Sequence, residues 1–111
     1  MSQFAHTPEP PYYAVIFTSQ RTPGDHGYDE TATRMGELAR EMPGYLGIES
    51  TRDADGLGIT VSYWRSEADI AYWKRHMEHQ TVQDRGKKQW YEHYELRVAK
   101  VERAYSGPAG R

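Results

Sequence analysis

Tyr45-Leu46-Gly47-Ile48-Glu49-Ser50-Thr51 and Gly58-Ile59-Thr60-Val61-Ser62-Tyr63-Trp64 flank Asp53-Ala54-Asp55-Gly56, and the reading of that stretch decides the fold. Both flanks are rich in β-branched and aromatic residues, while Asp-Gly suits the backbone of a tight turn, so the stretch reads as two adjacent antiparallel strands. In the second strand Ile59, Val61 and Tyr63 fall on one face and Thr60, Ser62 and Trp64 on the other. Both faces therefore need partial cover.

Working outward, Pro43-Gly44 stops a helix in which Tyr28, Ala32, Met35, Ala39 and Met42 recur at helical spacing. Before it, Arg21 to Gly27 is turn-rich, and Tyr12 to Gln20 is apolar on both alternate faces, as a central strand is. On the other side, Ser66-Glu67-Ala68-Asp69 has a capping Ser with an acid three residues on, and Ile70, Trp73 and Met77 form an inward stripe. This predicts a helix running to Arg85, before Gly86. Tyr91 to Tyr105 reads as a long strand whose apolar phase shifts from Tyr94, Leu96 and Val98 to Ala99 and Val101, which predicts a bulge. The order is βαββαβ, an α+β fold of ferredoxin-like type: an antiparallel sheet with two helices on one face. The domain spans 12–105, with polar, Pro- and Gly-bearing flexible tails at 1–11 and 106–111.

A single layer of helices leaves the other sheet face bare, and an apolar face of several hundred Å² usually marks an interface. A homodimer is the expected cover. The chain has 111 residues, a net charge of -2 and no cysteine. Scattered basic residues disfavour nucleic acid as a partner, and the missing cysteines remove disulfides, thiolate nucleophiles and thiolate metal sites. No stretch has the length of a membrane span or the pattern of a signal peptide, which makes a cytoplasmic protein the expectation.

Ile59-Thr60-Val61-Ser62-Tyr63-Trp64-Arg65-Ser66-Glu67, followed by Trp73, Glu78-His79 and Trp90-Tyr91, resembles the antibiotic biosynthesis monooxygenase family from about Tyr12 to Tyr105. The resemblance implies a dimeric α+β barrel of two ferredoxin-like protomers packed sheet to sheet, each with a pocket between its sheet and its own helices. It implies a range of activities: oxygenation of aromatic quinols without cofactor, haem degradation, or none. Haem-degrading members look to an Asn in the first strand, a Trp in the second helix and a His about ten residues later. Only the Trp is matched, by Trp73. Thr18 and Ser19 stand in the first strand, Gln83 stands ten residues after Trp73, and the chain contains no Asn. His76 or His79 remains available as an iron ligand from another turn.

The leading expectation is a cofactor-independent monooxygenase acting on a small aromatic phenol or quinol. His79 is the candidate base, because imidazole titrates near neutral pH and can take a phenolic proton. Trp73, His76, Tyr63, Trp64 and Tyr94 are the candidate substrate-binding residues, although aromatic side chains at such spacings also serve as plain packing. His76 and His79 form an H-x-x-H pair that His93 can join in space, yet without an assigned carboxylate this is a weak metal pattern, and no metal is expected. Gly56-Leu57-Gly58 lies in a hairpin with no helix after it, and reads as a turn. The alternatives are a non-catalytic dimeric module that binds an aromatic metabolite or stabilises a partner, and a haem-binding protein.

Overall fold

The computed structural model describes residues 4–24, 27–83 and 90–108, and within these the backbone alone of residues 78–83. The elements are β1 (Tyr12–Arg21), α1 (Tyr28–Arg40), β2 (Tyr45–Arg52), β3 (Leu57–Trp64), α2 (Glu67–Gln83) and β4 (Tyr91–Val101). The four strands form one antiparallel sheet in the order β2-β3-β1-β4, so the two βαβ halves interleave in the ferredoxin-like manner.

Local chemistry accounts for each boundary. Asp53 Oδ1 accepts the backbone N–H groups of Asp55 and Leu57, at 2.9 and 3.0 Å, and Gly56 supplies a φ of 97°, which closes the β2–β3 turn. Ser66 Oγ accepts the Asp69 N–H at 3.1 Å and donates to Asp69 Oδ2 at 3.0 Å, capping α2. Gly44 has a φ of 81°, and a Cβ there would run into the Asp69 side chain. Its carbonyl accepts the Arg65 N–H at 2.8 Å, so the turn after α1 is pinned to the start of α2.

Strand register sorts the side chains. Tyr13, Val15, Phe17 and Ser19 pair with Trp64, Ser62, Thr60 and Gly58 on one side, and Val15, Phe17 and Ser19 pair with Val98, Leu96 and Tyr94 on the other. Both helices lie over this face: Trp73 of α2 stacks on Trp64, and Tyr28 of α1 meets Arg52. In α1 Ala39 is buried but Ala32 is exposed, so the expected apolar stripe is only partly covered. The opposite face carries Ala14, Ile16, Ile59, Val61 and Tyr63, with Leu57 and Ile59 47% and 43% exposed.

One expectation needs correction. The apolar phase change in β4 is not a bulge, because Val15 pairs with Val98 and Ala14 with Ala99 in unbroken register. Ala99 and Val101 are apolar because they sit beside Ala14 and Tyr12, both buried, on the opposite face. The register shift lies instead at the start of the strand, between Gln20 opposite His93 and Arg21 opposite Tyr91. Residues before β1 also touch this opposite face: the Ala5 N–H donates to Glu49 Oε2 at 3.0 Å, and the Thr7 and Tyr12 hydroxyls are 2.9 Å apart. Among the described residues no helix is long and apolar enough to cross a membrane.

Candidate functional site

On the helix face three rings form a ladder. Trp64, 0% exposed at the end of β3, lies 6.0 Å from Trp73 at 25° between planes, and Trp73 lies 6.0 Å from His76 at 22°. Helical geometry explains the upper pair, since residues three apart share a ridge. The two-residue link Arg65-Ser66, with its cap and its bond to Gly44, places the ridge over Trp64. The Trp64 indole N–H donates to Ser62 Oγ at 2.9 Å, and Tyr45 meets the same indole edge-on at 5.6 Å and 82°. Burial pushes the Tyr45 phenol up, against a smaller downward pull from Arg40.

A second cluster occupies the other end of the same face. Tyr91 meets Phe17, Tyr28 and Tyr94 at centroid distances of 5.4, 5.9 and 6.0 Å, and Trp90 meets Tyr28 at 5.7 Å. The Arg21 guanidinium lies 3.7 Å over the Tyr28 ring. Arg52 donates to the Ser19 and Gly56 carbonyls and to Ser19 Oγ, and its guanidinium fills the space that a side chain on Gly58 would need. Burial, and then the hydrogen bond with Tyr28, raise the Tyr91 phenol well above its ordinary value, while Arg52 and Arg21 pull it down. Sequence reasoning did not single out Arg21, Arg52 and Tyr28. They come from β1, β2 and α1, and no local motif joins them.

Between the clusters Val15, Ser62, Leu96 and Val98 form the floor, and Leu96 and Val98 are 50% and 48% exposed. The helix face is thus an open apolar floor with an aromatic wall at each end. Trp64, Trp73 and His76 come together, and Tyr94 stands on the same face at the far end, 51% exposed. Tyr63 does not join them. It projects from the opposite face, where it donates to Glu49 Oε1 at 2.6 Å and meets Tyr12 edge-on at 5.8 Å. The His79 side chain, the candidate base, lies outside the described residues. His93 cannot join His76, because it shares the opposite sheet face with Gln20 and pairs with Glu95 at 2.7 Å in solvent. Among the described residues no group of three His, Asp or Glu side chains is placed to hold a metal ion.

Residues 12–85 match the antibiotic biosynthesis monooxygenase family. The chain is 56% identical over 103 residues to the uncharacterised protein YqjZ of Bacillus subtilis, covering 93% of this chain and 90% of that one. Among solved structures it is similar to SnoaB of Streptomyces nogalater, a cofactor-independent oxygenase, with a TM-score of 0.68 at 9% identity over 86% of this chain and 97% of that one. PA3566 of Pseudomonas aeruginosa superposes with a TM-score of 0.63 at 19% identity over 87% and 98% of the two chains. At these identities the two structural likenesses speak for the fold.

Proposed function

Since the chain belongs to the antibiotic biosynthesis monooxygenase family, we propose that it is a cofactor-independent monooxygenase whose substrate is a small phenol or quinol bound on the helix face of the sheet. The observation that carries this reading is the open apolar floor of Val15, Leu96 and Val98 beside the Trp64–Trp73–His76 ladder. A planar aromatic ring fits such a floor, and the polar groups at its margins orient ring hydroxyls. The same fold carries cofactor-independent oxygenation in SnoaB.

The chemistry follows from the substrate's own electrons. A base on α2 removes a phenolic proton, and the resulting phenolate is reducing enough to pass an electron to O₂. Recombination forms a C–O bond. Loss of water then gives the product: a quinol and one O₂ become a hydroxyquinone and one water. One oxygen atom enters the ring and the other leaves as water, and the quinol supplies all four electrons.

The working unit in this reading is a cytoplasmic homodimer. On the face opposite the helices Leu57 and Ile59 are 47% and 43% exposed within one chain. Packing the Leu57–Ile59–Val61 face of one protomer against its partner would bury them.

A naphthoquinol supplied with ¹⁸O₂, and no added metal or flavin, tests the activity. One labelled oxygen in the hydroxyquinone and one in water is the expected result. Binding of the quinol without label in the product would instead favour the non-catalytic ligand-binding module.

A further inference from the structure

The sheet face away from the helices is covered at one end from within the chain. Residues 4–7 lie over it as a strap, with Ala5 set so closely on Gly47 that a Cβ added to the glycine would stand 2.8 Å from the alanine Cβ. The Ala5 N–H donates to Glu49 Oε2 at 3.0 Å, and the Thr7 hydroxyl lies 2.9 Å from that of Tyr12. Burial alternates along the strap: Ala5 and Thr7 are half-buried, whereas Phe4 and His6 are exposed. The first pair therefore faces the sheet, as the period of an extended chain requires. At this end of the face Tyr12 and Ala14 are buried, while Leu57 and Ile59 at the far end are exposed.

We propose that this strap is an autoinhibitory cover on the self-association face: seated on Gly47 and Glu49 it opposes pairing, and it swings away when a second copy of the chain packs there. This rests on the proposed sheet-to-sheet homodimer and adds what limits its formation. Two sheets packed face to face stand roughly 10 Å apart, a gap that the side chains of their inner faces already fill. A strap over Gly47 and Glu49 intrudes into that gap. Its release costs little, because among the described residues it joins no strand of the sheet and even its inward residues are only half-buried. The seat outlasts the release, since the Tyr63 hydroxyl holds the other Glu49 oxygen at 2.6 Å. The effect is squared by symmetry, because both copies must free the same face. A strap seated nine-tenths of the time leaves about one-tenth of the chains competent and raises the apparent dimer dissociation constant about a hundredfold.

The test is Ala5→Asp in the full-length protein, compared with the unmutated chain by sedimentation equilibrium across a concentration series. The larger side chain has no room over Gly47 and brings a second carboxylate beside Glu49, so the strap is unseated while the sheet is left alone. The dimer dissociation constant should fall, by up to about a hundredfold. A constant that is unchanged or higher would overturn the proposal and leave the dimer standing, with the strap as a bystander or as part of the interface. If both proteins stay monomeric at every concentration, the dimer and its cover fall together. Should Ala5→Asp fold poorly, hydrogen exchange of the unmutated protein decides. The Ala5 amide should exchange faster as concentration rises through the dimer transition, and an amide equally or better protected in the dimer overturns the proposal.

Discussion

Tyr63 donates its hydroxyl proton to Glu49 across the β2–β3 pair at 2.6 Å, while the other Glu49 oxygen accepts the Ala5 N–H at 3.0 Å. One carboxylate thus ties two strands to the segment that precedes them. The hydrogen bond from Tyr63, and then the one from Ala5, hold the Glu49 carboxyl below its ordinary range, and burial opposes them. Burial foremost, and the hydrogen bond with Glu49 next, push the Tyr63 phenol up to about 12 from 10.0.

The signs of these shifts set a pH window. Glu49 contributes stability that is complete above the ordinary carboxylate range and is lost as pH falls through its lowered value. Tyr63 contributes stability that is complete below about 10 and is lost as pH climbs toward 12. The difference in melting temperature between the unmutated protein and Glu49→Gln should therefore be largest near neutrality and shrink at both extremes. A difference independent of pH would mean that the contact does not titrate as described.

The Trp ladder predicts an order of losses. Trp64 is fully buried and Trp73 is half-buried. Trp64→Ala should cost about 5 kcal/mol and Trp73→Ala about 3 kcal/mol in urea unfolding. The reverse order would show that Trp64 is not the anchor.

Two glycines should respond in opposite directions. Gly44→Ala meets both a φ of 81° and the Asp69 side chain, so it should destabilise by more than about 1 kcal/mol. Gly36 lies inside α1 with open space where a Cβ would stand, so Gly36→Ala should stabilise by up to about 1 kcal/mol. Thermal melts of the two variants check the pair.

Assembly can be separated from folding at Ile59, which is 43% exposed within one chain. Ile59→Asp should leave a folded chain of 12.8 kDa that sediments as a monomer, whereas the unmutated protein should sediment at twice that mass at micromolar concentration. A dimer that survives Ile59→Asp would place the interface elsewhere.

Haem is expected to bind weakly and without stoichiometry, because no Asn is available and Gln83 stands where a haem-degrading member has its His. Haemin titration monitored at the Soret band is the direct check. Tight binding at one haem per chain, abolished by His76→Ala or His79→Ala, would reverse that expectation.

The sequence by itself determined the order of the elements, the turn at Asp53–Gly56, the cap at Ser66 and the way β3 divides its side chains between the two sheet faces, because each depends on neighbours within a few residues. Alternation already separates Tyr63 from Trp64, yet the sequence offers both as candidates for one site. Only the tertiary structure decided which face the helices cover, and so sent Tyr63 to Glu49 and Trp64 to Trp73. The continuity of β4 through Val98 and Ala99, and the meeting of Arg21, Arg52 and Tyr28, likewise waited on long-range register. The physical reason is that a period-2 pattern fixes which side chains share a face, whereas their cover depends on contacts between segments far apart in the chain.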